Sequence, residues 1–314
     1  MHFLPPQHKP THRSKLAQVA TKKIAAYAML VLPAAVFCQG FRAIDDAGHA
    51  LRLPQAAQRI VSLAPNLAEL VYAAGAGARL IGVGRFSDYP AAVQKLPVLG
   101  DAFALNLEAI AALKPDLVLL WQSGTPERQR DALRALAQRQ GFAVFESEVR
   151  SVADIASTLE RIGQLAGTQR SAQAAAGSLL RDWQALQTRY AQAKPVRVFY
   201  QVWDAPLMTF NGQHIISQAI RACGGVQGFD TMSALTPSIS REAVLAFNPQ
   251  LILAGGDGTA SKELAAWRAL PQIDAVQHQQ LQAANAALLS RMGPRFVQAA
   301  SALCQQIDAT RSRW

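Results

Sequence analysis

The chain has 314 residues, of which 50% are hydrophobic and 17% charged. That is enough apolar mass for two cored domains, and the charge content excludes a mainly disordered chain. The formal net charge of +10 is concentrated at the start. Residues 1–23 hold Lys9, Arg13, Lys15, Lys22 and Lys23 and no acid, which leaves about +5 for the rest. With no basic run carrying interleaved aromatics in the body, no nucleic-acid partner is expected.

The basic segment leads into IAAYAMLVLPAAVF at residues 24–37, apolar but short for the roughly 30 Å of a bilayer core. Residues 1–38 read as a secretory signal peptide, with a retained membrane anchor as the alternative. Cys38 stands where a lipoprotein cysteine could, although Phe37 before it is bulkier than lipid processing prefers. Export leaves Cys223 and Cys304. In an oxidising compartment an even pair reads as a disulfide closing a loop of about 81 residues; two buried free thiols are the alternative.

From Arg59 the chain alternates apolar and amphipathic runs. RIVSLA, RLIGVGR, DLVLLW and FAVFES read as buried strands of a mostly parallel sheet. NLAELVYAAGA, LNLEAIAALK and PERQRDALRALAQRQ read as helices between them, with Asn66 and Asn106 as N-caps. These runs define an N-terminal α/β lobe at residues 39–165. Next, within a linking segment at 166–194, the stretch 171–193 places Leu179, Trp183, Leu186 and Tyr190 on one helical face. Its length of about 35 Å suits a rigid strut, with Trp183 as a packing residue. A second alternation opens with VRVFYQV at Val196 and runs through GQHIISQAIRAC, SREAVLAFN, LILAGG and RFVQAASALCQQI. It defines a C-terminal lobe at 195–314. The fold class is α/β, with two Rossmann-like lobes joined by one long rigid helix and a ligand cleft between them.

In open α/β sheets, ligands sit beyond the carboxyl ends of the strands. Those ends carry RFSDYP (85–90), Trp121, then Trp203, Met208 and Phe210, and later Arg291 and Arg295. Any one aromatic could be core packing. The set suits a large, flat, partly apolar ligand with polar decoration. No nucleophile elbow, phosphate loop or dinucleotide fingerprint is present, so no enzyme is expected. His49, His214 and His278 stand singly and read as surface residues, Asp88 reads as a loop cap, and no metal site is expected.

One device occurs twice. LEAIAALKPDLVLL at 107–120 and REAVLAFNPQLILA at 241–254 each place a Glu, Glu108 or Glu242, at the head of a short helix that leads through Pro115 or Pro249 to a strand. Complementing a helix N-terminus explains either acid alone. Internal duplication is the rival account for both.

The ordered set RIVSLAPNLAEL, SDYP, NLEAIAALKPDLVLLW, ERQ, RVFYQ, CGG, SREAVL and PRF resembles the substrate-binding proteins of ABC importers for vitamin B12, haem and iron-siderophores, with the vitamin B12 binders the nearest branch. The likeness covers about residues 59–308. It implies a monomeric periplasmic protein with limited hinge motion, a cobalamin-like ligand and no covalent cofactor; haem or an iron-siderophore is the alternative ligand. It implies that Glu108 and Glu242 dock into arginine pockets of a dimeric ABC permease served by an ATPase, and that Cys223 and Cys304 are bridged. The implied ligand contacts are Phe86 in place of a Tyr, Trp121 and Arg291. Phe103 fits with a one-residue shift, Met208 replaces a Phe and Thr236 a Trp, and an acid is lost near Ala287. Trp203 compensates on the C-terminal lobe. A rival of another class is an exported enzyme on the same fold; a third is a sensor that docks elsewhere.

Overall fold

The structure, a computed structural model, describes residues 40–256 and 261–314. Residues 1–38, read above as a signal peptide, lie outside them, Cys38 included. The first described elements form an antiparallel hairpin, β1 (Phe41–Ile44) and β2 (Ala50–Leu53), which nothing in the sequence pattern announced. Asp45 organises its turn. The carboxylate accepts the backbone N–H groups of Ala47 and His49 at 3.1 and 2.7 Å, and that of Glu146 at 3.2 Å.

There follow β3 (Ile60–Ser62), α1 (Pro65–Ala73), β4 (Leu80–Val83) and the short hairpin β5 (Gly100–Asp101) and β6 (Ala104–Leu105). Next come α2 (Leu107–Ala112), β7 (Leu117–Trp121), α3 (Glu127–Gln140), β8 (Ala143–Ser147) and α4 (Val152–Ala166). The four longer strands form one parallel sheet in the order β4-β3-β7-β8. Side chains alternate across it because successive residues of a strand point to opposite faces. Leu117 and Leu119 join a core shared with Leu67, Leu70 and Ile155, whereas Val118 and Leu120 join Ile110, Leu133 and Leu136 on the other side. Burial on both faces is why these strands read as unbroken apolar runs.

Asn106 caps α2, its side chain accepting the N–H of Ala109. Asn66 does not cap α1. Ala64 precedes that helix without a side-chain bond and Pro65 takes the first turn, where its fixed φ and missing N–H cost nothing. Asn66 is thereby drawn into the helix.

Gly167, at φ +66°, ends α4, and α5 (Gln169–Tyr190) follows with 22 residues, about 33 Å of rise. It buries Ala172, Ala176, Leu179, Leu186 and Tyr190. Trp183 is partly buried, its ring 6.5 Å from that of Phe296, a packing role.

The remaining elements are β9 (Val196–Gln201), α6 (Ile215–Ala222), β10 (Gly225–Val226), α7 (Arg241–Phe247), β11 (Leu251–Gly256) and α8 (Ser261–Ala265). After them come α9 (Asp274–Gln277), β12 (Leu281–Asn285), α10 (Ala286–Leu289) and α11 (Phe296–Arg311). The second sheet is again parallel, in the order β10-β9-β11-β12. Counting strands within each sheet, both read second-first-third-fourth. Two α/β lobes are thus built on one plan and joined by a long helix. Cys223, at the end of α6, is disulfide-bonded to Cys304 of α11, with Cα atoms 4.8 Å apart.

The doubled device now has a place in this plan. α2 leads into β7 and α7 into β11, in each case the third strand of its sheet. Glu108 and Glu242 each stand nine positions before that strand begins.

Candidate functional site

Trp121 is the last residue of β7, half-buried at the carboxyl edge of the first sheet. The loop after it turns tightly around the indole: any Cβ on Gly124 would overlap the Trp121 ring, so only glycine permits this approach. Beside Trp121 lies a pocket of about 190 Å³ walled by both halves of the chain. Ser123, Glu148 and Arg150 come from loops of the first half; Gln213, His214 and Thr236 come from the second. Two larger grooves, about 580 and 620 Å³, run along α5. They lie away from the carboxyl strand ends, where this sheet geometry places ligands, so the smaller pocket marks the site.

Three large aromatics stand out in the solvent. Phe86 is 73% exposed, Phe103 77% and Trp203 60%. None of the three lines that pocket, in which Trp121 is the one predicted ligand contact; rings of this size are ordinarily covered, so their exposure at these loops is informative. Phe86 also sits at φ +68°, a left-handed conformation that costs a bulky residue about 1–3 kcal/mol. Bonds on either side impose it: Arg85 donates its N–H to the Gly100 carbonyl at 2.7 Å and Ser87 to the Gly84 carbonyl. Phe103 tops the β5–β6 hairpin, where Asp101 accepts the N–H groups of Phe103 and Ala104. Trp203 bridges to Met208 in antiparallel fashion, and Met208 is half-buried beneath that exposed turn.

The two halves are also joined by charge. Arg291 makes a two-pronged contact with Asp88, Nη2 lying 2.7 Å from Oδ2, and reaches Glu69 at 3.3 Å. Arg295 grips Glu69 at 2.6 and 2.9 Å and lies 3.8 Å over the Tyr89 ring. Glu69, on α1, is 3% exposed, so its charge is held by the two guanidiniums. Asp88 is therefore no mere loop cap. The hydrogen bond from Arg291 holds its carboxyl below the usual range, and that same bond to Asp88 raises Arg291. Arg291 does not line the pocket, and its fork is already occupied.

His214 also departs from the sequence reading. It is 6% exposed, not a surface residue. Its ring stacks on Phe210 at 3.6 Å between centroids and 7° between planes, and Nδ1 accepts the N–H of Ile216 at the start of α6. Burial pushes its pKa down to about 4, so the ring is neutral at physiological pH. His49 and His278 are exposed as expected. Among the described residues, no three His, Cys, Asp or Glu side chains are grouped to hold a metal ion, and no helix is long and apolar enough to cross a membrane.

Glu108 and Glu242 are both exposed, each the second residue of its helix. Ser240 caps α7 as Asn106 caps α2, accepting the N–H of Ala243. A bond from its own backbone N–H, then one from Ser240, lowers the Glu242 pKa.

Residues 60–287 match the family described as periplasmic binding protein. The chain belongs to that family. Among periplasmic binding proteins, it is 37% identical over 258 residues to the vitamin B12-binding protein of Yersinia pestis, covering 82% of this chain and 89% of that one. It superposes on the crystal structure of the periplasmic vitamin B12 binding protein BtuF of Vibrio cholerae with a TM-score of 0.72 at 34% identity, covering 82% and 99% of the two chains. The periplasmic haem-binding protein HutB of Vibrio cholerae superposes with a TM-score of 0.70 at 20% identity, covering 79% and 98%. That last likeness shows the shared fold.

Sequence reasoning missed Glu69 and the buried state of His214, and misassigned Asp88. The SDYP motif flags the loop that carries Asp88. The partner of its acid lies 203 positions away, and a contact that distant leaves no local pattern.

Proposed function

We propose that this periplasmic binding protein captures cobalamin, or a closely related corrinoid, between its lobes and delivers it to an ABC permease in the inner membrane. Phe86, Phe103, Trp121, Trp203, Met208 and Arg291 are the proposed ligand contacts. Glu108 and Glu242 are the proposed docking acids, one per half, for a permease dimer driven by its ATPase. The protein acts as a monomer without covalent cofactor, after removal of an export segment near residue 38. Its proposed divisions are an N-terminal lobe at 39–165, a linking helix at 166–194 and a C-terminal lobe at 195–314.

The observation that carries this reading is the exposure of Phe86, Phe103 and Trp203 at strand-end loops of both lobes, in a chain more than a third identical to a vitamin B12-binding protein. Flat apolar surface left in water has a use when a broad apolar ligand covers it. Calorimetric titration of the mature protein with cyanocobalamin, haemin and a ferric siderophore tests it. Saturable one-to-one binding of cyanocobalamin is expected. Binding of an iron chelate alone would replace the named ligand with the haem or siderophore alternative.

A further inference from the structure

The pocket beside Trp121, at about 190 Å³, is smaller than the roughly 300–1,000 Å³ of a whole small-molecule site. It has room for a side arm of a larger molecule, not for the molecule itself. Its polar walls are specific. On the second half, His214 is fixed twice, by its stack on Phe210 and by the bond its Nδ1 accepts from Ile216. An imidazole that accepts at Nδ1 and is neutral carries its proton on Nε2. Among the described residues no protein group pairs with that Nε2–H. It is an N–H donor held in one orientation at the pocket wall, and it has no lone pair there for a metal.

The first half supplies the complement. The Glu148 side chain is 13% exposed; one oxygen accepts the Ser123 N–H at 3.0 Å and the other lies 3.6 Å from Arg150 Nε. An ionised carboxylate has about four acceptor sites, so Glu148 retains capacity for a further donor. Arg150 also lines the pocket, its side chain 71% exposed and its guanidinium already turned to Glu148. The wall therefore offers a donor from His214 and an acceptor from Glu148. A primary carboxamide presents the matching pair, a carbonyl oxygen and an NH2. A carboxylate would meet the Glu148 charge and would have to compete with it for Arg150, the one cation among the described residues of the wall.

We infer that this pocket seats the uncharged primary amide of a propionamide arm of the ligand, the longer of the two kinds of amide arm a corrin carries, with His214 donating to its carbonyl and Glu148 accepting from its NH2. The inference rests on the cobalamin reading, since a corrin carries primary amides on its periphery where a haem carries carboxylates.

The test titrates the wild type, His214→Asn and Glu148→Gln with cyanocobalamin and with its three derivatives in which one propionamide has been hydrolysed to the acid. The wild type is expected to bind at least one acid about tenfold more weakly than the parent. His214→Asn keeps an oxygen to cap α6, but its amide is shorter than the imidazole and places no donor at the position of Nε2. It should bind cyanocobalamin about fivefold more weakly, with melting followed alongside because the stack on Phe210 is lost. Glu148→Gln should narrow the gap between amide and acid. Equal wild-type affinity for the parent and all three acids would overturn the inference, and so would a His214→Asn variant of undiminished affinity. The acid comparison needs no mutant and is unaffected by any folding defect. Failure of the wild type to bind cyanocobalamin at all would instead sink the functional reading, a result visible in the first titration.

Discussion

Asp88 and Arg291 close a contact that the chain leaves open for 203 positions. A guanidinium fork on a carboxylate is the strongest geometry available to a surface pair, but the Asp88 side chain is 56% exposed and solvent screens it. Because the hydrogen bond from Arg291 lowers the Asp88 pKa in the folded state, its contribution is fully present above the unfolded value near 3.9. It is lost as the pH falls through the depressed one. Asp88→Asn should therefore cost less than about 1 kcal/mol at pH 7 and flatten the fall in melting temperature below about pH 4. Parallel melting profiles for wild type and variant between pH 7 and 3 would show that the pair stabilises nothing. No periodicity could have announced the pairing of Asp88, because an ion pair is set by where two loops end. Phe86, Trp121 and Trp203 were legible as candidates for the opposite reason. A large ring just past a strand is conspicuous in one dimension.

The elements repeat that lesson with shorter range. β7 was readable because both faces are buried, giving the unbroken run Leu117–Trp121, and α2 because Asn106 precedes an apolar helix. β1, β2 and the two-residue β10 were not, since an arginine interrupts the apolar residues of FRAI and of ALRL, and two residues carry no pattern at all. Asn66 was misread because Pro65 claims the first turn. The packing of α4 on α5 was equally hidden. It depends on Gly163, where an added Cβ would stand 2.3 Å from the Cβ of Ala172. The helices are close enough there that glycine is required by space rather than by φ. Gly163→Ala should force them apart and destabilise by about 1–3 kcal/mol, read as a lower midpoint in urea. A variant as stable as wild type would mean that the pair can slide at no cost.

Across the whole molecule, the two sheets share one strand order, and each carries its exposed acid nine residues before its third strand. The sequence showed the repeated segment, while the identical order of strands around it required the fold. Neither acid has a salt-bridge partner among the described residues, so removing their charge should leave the interior untouched. Glu108→Ala combined with Glu242→Ala is expected to abolish cobalamin uptake in cells while calorimetry shows the affinity of the soluble protein unchanged. Normal uptake by the double variant would remove docking from the account.

The duplicated plan also makes error count differently on the two sides of such a contact. Within this chain each acid is encoded separately, so one codon change removes half of the attachment and leaves the other half in place. A docking partner made of two identical subunits would encode both sockets in one gene, and a single change there would empty both together. Tolerance of mutation would then reside in the carrier, and fragility in its receptor.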